Sequence, residues 1–205
     1  MNILAIGAHP DDIEIGCAGT VMKFKEKGCG LYQMVLTCGL KAGDAELRQQ
    51  EQKRAAKITG ADDLFWGGFK DTMLGANIRK LIGSIEHVMK KTEPTFIFVN
   101  YPKDTHQDHR YLAEATISAA RNTRNILFYE VPTSIDFNPN VFVDISQFME
   151  RKIEALIAHT SQIDKTNIEG LSILDIAKAA AFFRGVQGRT KYAEGFYSLR
   201  LFINV

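Results

Sequence analysis

The sequence predicts an α/β fold in which a doubly wound, mostly parallel sheet carries helices on both faces. Short apolar runs without a helical period alternate with longer segments whose apolar residues recur at about every 3.6 positions. Parallel strands need crossover connections, which are usually helices, so this alternation favours a parallel sheet. The 205 residues contain no internal repeat or dividing linker, and we expect one domain spanning residues 1–205.

Each element of the first half follows from its local pattern. Gly28 and Gly60 are expected to end helices, Asp44 is a plausible N-cap, and Pro94 prevents a helix from continuing. The pair Gly67-Gly68 is expected to let the chain turn after a short strand. The expected strands are residues 2–7, 31–38, 64–66 and 95–100, and the expected helices are about 15–27, 45–58, 77–91 and 108–121.

The second half continues the pattern with shorter strands. Pro132 and the Asn138-Pro139-Asn140 run mark a connection between two strands. The tail from Gly195 to Val205 has a strand-like pattern that includes Ile203. The expected strands are residues 126–131, 141–143 and 195–205, and the expected helices are about 146–159 and 172–186.

Composition and charge exclude several classes of partner. Apolar residues make up 45% of the chain and the formal net charge is +1, so there is no bulk electrostatic case for nucleic acid or an anionic membrane. No apolar run approaches the roughly 18 residues of a transmembrane helix, and no signal peptide is recognisable at the N-terminus. The three cysteines lack a C-x-x-C pair, which fits a reducing compartment, and we expect a cytoplasmic protein.

Two clusters of His and Asp residues follow two of the expected strands. Ala8-His9-Pro10-Asp11-Asp12 follows the first strand, and His106-Gln107-Asp108-His109 follows the strand at 95–100. In an open parallel sheet, ligands bind outside the carboxyl ends of the strands. We therefore expect the two clusters to converge on one site. The alternative for the first cluster is ordinary helix-entry chemistry, in which acidic residues favour the positive end of the helix dipole.

Two imidazoles and one carboxylate form a known three-ligand set for zinc that leaves a position open for water. His9, Asp12 and His109 are the candidates for this set. Zn²⁺ is the expected metal, and Fe²⁺ also suits such ligands. An open position indicates catalysis, because bound zinc lowers the pKa of its water from about 15.7 to about 7.

The remaining polar residues of the clusters have roles in such a reaction. Asp11 is a candidate general base, and His106 is a candidate donor to the oxyanion or the leaving amine. Asp108 is expected to orient the His106 imidazole or to raise its pKa. Together these residues indicate a metal-dependent hydrolase of a carbonyl compound.

Two other functions stay open at this point. A metal-dependent phosphoesterase would also suit Asp and His clusters, but it predicts a second metal with further ligands. A non-catalytic sugar- or nucleotide-binding module would need a phosphate loop, and neither the G-x-G-x-x-G nor the G-x-x-x-x-G-K-[ST] pattern follows the first strand.

The two clusters, with two weaker motifs, resemble the PIG-L-like (LmbE-like) N-acetylglucosaminyl deacetylases. The resemblance runs from His9-Pro10-Asp11-Asp12 through the segment from Asp104 to His109, then to His159-Thr160-Ser161-Gln162 and to the segment from Tyr192 to Phe196. It implies a Rossmann-like fold and zinc-dependent removal of acetyl from N-acetylglucosamine (GlcNAc) or its conjugates. Relatives of this kind are often homo-oligomers.

The resemblance also implies roles for individual residues. His9, Asp12 and His109 would be the zinc ligands, Asp11 the general base, and His106 the oxyanion donor or acid. Arg48 and Asp104 are expected to contact a small amino-sugar substrate. For Arg48, the alternative is an exposed position on a highly charged helix.

Overall fold

The computed structural model describes residues 1–202 as a seven-stranded sheet with helices on both faces. The strands are β1 Asn2–Gly7, β2 Gly30–Thr37, β3 Asp63–Phe69, β4 Phe96–Asn100, β5 Asn125–Tyr129, β6 Val141–Asp144 and β7 Ala193–Arg200. The helices are α1 Asp12–Glu26, α2 Ala45–Thr59, α3 Ile78–Thr92, α4 Gln107–Ala119, α5 Met149–Ile157 and α6 Ile173–Gly188. The predicted α/β fold class is confirmed.

The sheet has one point at which the strand order reverses. The order is β3-β2-β1-β4-β5-β7-β6, and strands β1 to β5 are parallel. The chain therefore places β2 and β3 on one side of β1, and then crosses over to place β4 and β5 on the other side. Ligands bind in the crevice at such a point. Both His clusters follow the two strands that form it, β1 and β4.

The two faces of the sheet bury alternate residues of the central strand, as a period of two requires. Leu4 and Ile6 pack against α3 and α4, whereas Ile3 and Ala5 pack against α1 on the other face. Because β1 is covered on both faces, its residues form the continuous apolar run seen in the sequence. The helices packed on the two faces of β1 thus hold the end of this strand, and with it the start of the following loop, in place.

Two local predictions in the first half have different outcomes. Asp44 caps α2 as expected, because its side chain accepts a hydrogen bond of 2.8 Å from the Leu47 backbone N–H. The expected turn at Gly67-Gly68 is wrong, since both glycines lie inside β3 next to an irregular register with β2. A Cβ on Gly67 would lie only 2.7 Å from the Leu36 side chain, so the close approach of two strands requires glycine there.

The end of the described chain returns to the sheet as β7. This strand is antiparallel to both β5 and β6, so the sheet is mixed at this edge. The predicted strand at 195–205 is confirmed up to Arg200, while the part at residues 203–205 lies outside the described residues. Within residues 1–202, no helix combines the length and apolar character needed to cross a bilayer.

Candidate metal centre

The loop between β1 and α1 presents three polar side chains at the carboxyl end of the central strand. His9 precedes Pro10, and its backbone N–H donates a hydrogen bond of 2.9 Å to Oδ2 of Asp12. Asp11, between them, has φ 92° and ψ −25°. This left-handed conformation is uncommon for a residue other than glycine and marks a sharp turn. The turn separates the two acidic side chains, so that Asp12 faces His9 while Asp11 contacts Arg48.

The loop after β4 supplies the second half of the site through the start of α4. His106 is the N-cap of this helix, and its Nδ1 atom accepts a hydrogen bond of 3.2 Å from the Asp108 backbone N–H. Asp108 and His109 lie in the first turn and are buried. The ring of His106 lies against both other imidazoles, with centroid distances of 4.5 Å to His9 and 4.8 Å to His109.

The three proposed ligands converge within a few ångströms. Nδ1 of His9 lies 3.3 Å from Nε2 of His109, and it lies 3.6 Å from Oδ2 of Asp12. Nε2 of His109 lies 3.4 Å from Oδ1 of Asp12. Zinc bonds of about 2.0–2.2 Å at tetrahedral angles would separate neighbouring ligand atoms by about 3.3–3.6 Å. The spacing of this donor set therefore fits a zinc ion.

The outer nitrogens of both imidazoles face carboxylates, and this fixes the tautomers. Nε2 of His9 lies 3.2 Å from Asp71 and 3.3 Å from Asp108, and Nδ1 of His109 lies 3.1 Å from Asp104. A carboxylate only accepts hydrogen bonds, so these outer nitrogens carry the hydrogens. When both rings are neutral, the inner nitrogens then present lone pairs to each other, an arrangement that a shared metal ion stabilises and that is usual for metal-binding histidines.

The electrostatics of the site also favour a cation between the imidazoles. Burial disfavours charge on His9, but the surrounding Asp108, Asp12 and Asp71 outweigh it and raise the pKa of His9 well above its usual value. Burial likewise opposes charge on His109, yet Asp12 and Asp104 raise its pKa to about 9. The carboxylates around the two rings thus stabilise positive charge at the position where the ligand atoms converge.

Asp71 is a site residue that the sequence analysis missed. It follows β3, and its carboxylate accepts hydrogen bonds from the Lys41 backbone N–H at 2.8 Å as well as contacting His9. The contact with His9 contributes most to holding the pKa of Asp71 at about 2. Two further groups have atoms close enough to share a metal ion: His9 with His106 and His109, and His9 with Asp71 and Asp108. Backbone N–H groups already occupy both carboxylates, however, which suits a role in orienting His9.

Asp108 contacts His106 as expected, and its carboxylate has a further set of partners. Its carboxylate contacts His9 and accepts hydrogen bonds from the backbone N–H groups of Thr72 and Leu74, at 2.8 and 3.1 Å. Asp108 orients the His106 ring through its backbone N–H and not through its carboxylate. The Asp108 carboxylate raises the pKa of His106 as expected, but burial together with the neighbouring His9 and His109 outweighs it, and the net shift is downward.

The position of Asp104 does not support the expected contact between Asp104 and the substrate. The Asp104 side chain is completely buried, and it accepts hydrogen bonds from the His106 backbone N–H and the Ser134 hydroxyl while contacting His109. A side chain buried to this extent presents no surface to a sugar. Asp104 orients His109 in the same way that Asp71 and Asp108 orient His9.

Arg48 lies inside the site and not on an exposed helix face. It is 3% exposed, and its guanidinium donates hydrogen bonds to the backbone oxygens of Gly39 and Pro10. It also contacts Asp11 at 3.2 Å, and the Asp11 side chain is 18% exposed. Burial raises the pKa of Asp11 to about 6, although the nearby Arg48 opposes this shift. The predicted contact between Arg48 and the substrate stays a prediction.

The weaker motif after α5 lies behind the site. His159 is buried and its Nε2 lies 3.3 Å from Glu14 of α1, while the Ser161 backbone N–H and hydroxyl each donate to Glu51 of α2 at 2.7 Å. These contacts attach the loop after α5 to the two helices that frame Asp11. Glu51 and Arg48 belong to a stripe of buried polar positions on α2 that repeats at helical spacing.

The fold and this site together define a class of protein. Two imidazoles and a carboxylate converge at the switch point of an α/β sheet, and a further carboxylate, Asp11, lies directly beside them. This arrangement is typical of metal-dependent hydrolases, in which a carboxylate accepts a proton from water.

Comparison with known proteins identifies the family within this class. The profile of the PIG-L family, described as GlcNAc-PI de-N-acetylase, matches residues 4–120. The uncharacterized deacetylase YaiS of Escherichia coli is 33% identical over 168 residues, covering 78% of this chain and 91% of that protein. Diacetylchitobiose deacetylase of Thermococcus kodakarensis is 30% identical over 220 residues, covering 95% of this chain and 81% of that protein.

A solved structure supports the same assignment. A conserved protein of Thermus thermophilus superposes with a TM-score of 0.88 at 26% identity, and the match covers 99% of this chain and 96% of that one. The chain therefore belongs to the PIG-L (LmbE-like) family of deacetylases. The resemblance carried by the motifs from His9 to Asp12 and from Asp104 to His109 is confirmed.

Proposed function

We propose that the protein is a zinc-dependent deacetylase that removes the N-acetyl group from N-acetylglucosamine or one of its conjugates. The observation that carries the proposal is the convergence of Nδ1 of His9, Nε2 of His109 and the Asp12 carboxylate, with Asp11 beside them. Family membership and the diacetylchitobiose deacetylase among the relatives support an acetylated amino sugar as the substrate.

In this proposal His9, Asp12 and His109 hold the metal. A zinc ion bound there would lower the pKa of a coordinated water and polarise the acetyl carbonyl. Fe²⁺ is the alternative metal, since the same ligand set suits it.

Asp11 takes the proton of the attacking water. Its carboxylate is held by the Arg48 guanidinium at 3.2 Å and stays partly accessible, whereas the other acidic side chains of the site are almost fully buried. Water adds to the acetyl carbonyl carbon, the carbon–nitrogen bond then breaks, and the nitrogen receives the proton. The products are acetate and a free amine.

His106 stabilises the negative charge that develops on the carbonyl oxygen. Its Nδ1 accepts the Asp108 backbone N–H, so in the neutral ring the hydrogen is on Nε2. Because the pKa of His106 is lowered, the neutral ring is favoured, and a neutral imidazole can donate this hydrogen bond through Nε2 but carries no additional proton to give to the leaving amine. We therefore favour oxyanion stabilisation over proton donation for His106.

The test is release of acetate and amine by protein that has been freed of metal with a chelator. The panel contains N-acetylglucosamine, diacetylchitobiose and GlcNAc glycosides with apolar or acidic aglycones, with a phosphate monoester added to test the phosphoesterase alternative. We expect equal amounts of acetate and amine only after Zn²⁺ or Fe²⁺ is added. Phosphate release without acetate release would contradict the proposal, as would amine release from an Asp12→Ala variant at the wild-type rate.

We further propose that the protein is cytoplasmic and assembles as a homo-oligomer. Cys17, Cys29 and Cys38 are free thiols, which supports a reducing compartment. The exposed side chains of Phe182, Phe183 and Val186 form an apolar face on α6 that association would cover. Light scattering after size exclusion tests the oligomer: a mass of one chain at micromolar concentration would contradict it.

A further inference from the structure

Asp11 occupies a backbone conformation that needs support. Its φ of 92° lies in the left-handed region, which side chains other than glycine rarely adopt. Its carbonyl oxygen accepts the first hydrogen bond of α1, from the Ile15 backbone N–H at 2.9 Å. Its own backbone N–H donates to Oε1 of Gln52 at 3.1 Å. The Gln52 side chain therefore provides a hydrogen-bond partner for the Asp11 N–H, which has no partner within the helix.

The orientation of the Gln52 amide is fixed by a neighbour that can only accept. Nε2 of Gln52 donates to Oε1 of Glu14 at 3.0 Å and to Oε1 of Gln33 at 3.3 Å. Because a carboxylate has no hydrogen to donate, the amide nitrogen must face Glu14. The amide oxygen is then directed at Asp11. Gln52 and Glu14 are both completely buried, so water does not compete for these bonds.

Glu14 is fixed in turn from the loop after α5. Its second oxygen, Oε2, lies 3.3 Å from Nε2 of His159, which is also buried. Three buried side chains from three different segments thus form one chain of contacts, from His159 through Glu14 to Gln52. The chain ends at the backbone N–H of Asp11.

We propose that Gln52 is a positioning residue that holds Asp11 in its left-handed conformation and so aims the Asp11 carboxylate at the reacting water. The inference rests on the proposed function, because Asp11 matters as the base of that reaction. Without Gln52, a buried N–H would lose its partner and the backbone would relax toward an ordinary helical conformation. Relaxation would move the carboxylate away from Arg48.

The test compares Gln52→Leu with Gln33→Leu. Both variants remove a buried amide from the same cluster, but Gln33 contacts Gln52 and Thr59 and does not touch Asp11. We expect Gln52→Leu to lower kcat by about tenfold to a hundredfold, with KM and zinc content close to wild type. We expect Gln33→Leu to keep the wild-type kcat, although its melting temperature falls by a similar amount.

A double variant tests the mechanism of the effect. The double variant exchanges the two residues, as Glu14→Gln and Gln52→Glu. The amide at position 14 would accept a hydrogen bond from His159 and donate one to the carboxylate at position 52. That carboxylate would in turn accept a hydrogen bond from the Asp11 N–H. The contacts from His159 to the Asp11 N–H are retained, and the Gln33 amide can turn over to donate to residue 52, so we expect kcat to recover most of what Gln52→Leu loses. Equal kcat losses in Gln52→Leu and Gln33→Leu would overturn the proposal, and so would failure of the double variant to recover.

Crystal structures of wild type and Gln52→Leu provide a readout that does not need the substrate. We expect φ of Asp11 to leave the left-handed region in the variant. If Asp11 keeps its φ near 92°, positioning by Gln52 is wrong. If instead Asp11 moves but wild-type protein releases no amine from any conjugate, the proposed function fails while the structural role of Gln52 stands.

Discussion

Nδ1 of His9 and Nε2 of His109 lie 3.3 Å apart, although the outer nitrogen of each ring faces a carboxylate. The carboxylates keep the hydrogens on the outer nitrogens, so in the neutral rings two lone pairs face each other. Only a proton or a metal ion between the rings makes this contact favourable. Asp12, which completes the set from the same loop as His9, makes a metal ion the better fit.

Removing one of these imidazoles should remove the metal. We expect His109→Ala to contain much less zinc than wild type, because two ligands remain from three. His87→Ala is the matched control, since His87 is exposed on α3. Zinc per chain is measured by atomic emission after dialysis. Full zinc occupancy in His109→Ala would contradict the coordination proposed here.

Replacing Asp104 should weaken zinc binding without changing the substrate preference. Asp104→Asn keeps the shape but loses the charge that faces Nδ1 of His109 at 3.1 Å. Such replacements typically cost about 10- to 100-fold in metal affinity. Competition with a chelating dye measures the affinity. A variant with normal zinc affinity and a raised KM for the substrate would instead support the substrate contact expected from the sequence.

Replacing Asp11 should separate turnover from metal binding. Asp11→Asn retains an oxygen for Arg48 and tolerates the left-handed backbone, but it cannot accept a proton. We expect kcat to fall by about 10²- to 10⁴-fold while zinc content is unchanged. Amine release and metal content are measured on the same preparation. Simultaneous loss of both would place Asp11 among the metal ligands.

The convergence of the two clusters could be predicted from the sequence, because the carboxyl ends of the two strands at a switch point lie side by side. His9 and His109 each follow an apolar strand, and parallel strands bring such residues to one edge. Asp71 could not be found in this way. It stands in a loop after β3, two strands from β1, and only the folded path of that loop brings it to His9.

The burial of Gln52 and Arg48 could not be predicted for a different reason. In a helix as polar as α2, the usual expectation is that charged and amide side chains are exposed. The structure reverses this, since α2 turns Arg48, Glu51 and Gln52 toward the protein, where they contact Asp11, Ser161 and Glu14 respectively. Hydrophobic periodicity cannot reveal a buried face whose partners are themselves polar.

Burial of His159 beside Glu14 should make stability depend on pH. Burial lowers the pKa of His159, but the hydrogen bond with Glu14 outweighs it and the net shift is upward. A raised folded-state pKa contributes stability that is complete below the unfolded value of about 6.5 and is lost as pH rises through the folded value. We expect the free energy of unfolding of wild type, relative to His159→Gln, to fall as the pH rises above the unfolded pKa of about 6.5.

Urea unfolding in the presence of a chelator measures this difference without a contribution from bound metal. The other titrating groups are common to both proteins and largely cancel in the comparison. A difference that is constant or grows with pH would show that His159 does not gain its proton from the contact with Glu14.

Replacing a helical glycine by alanine should have opposite effects on stability at Gly16 and at Gly83. A Cβ on Gly16 of α1 would lie 2.0 Å from Cδ2 of Tyr129, whose hydroxyl donates to the Ile6 carbonyl at 2.7 Å. We expect Gly16→Ala to lower the free energy of unfolding by about 1–3 kcal/mol or more. Gly83 of α3 has open space at this position, so Gly83→Ala should raise it by about 0.5–1 kcal/mol. Urea unfolding measures both, and equal effects would contradict the packing described for Tyr129.

The most direct test of the account is the position of the metal itself. Crystals of the zinc-loaded protein, measured on both sides of the zinc absorption edge, give an anomalous difference map that locates zinc independently of any assay. We expect one strong peak within bonding distance of Nδ1 of His9, Asp12 and Nε2 of His109. A peak between Nε2 of His9, Asp71 and Asp108, or none at the switch point, would contradict the centre on which the proposed deacetylation depends.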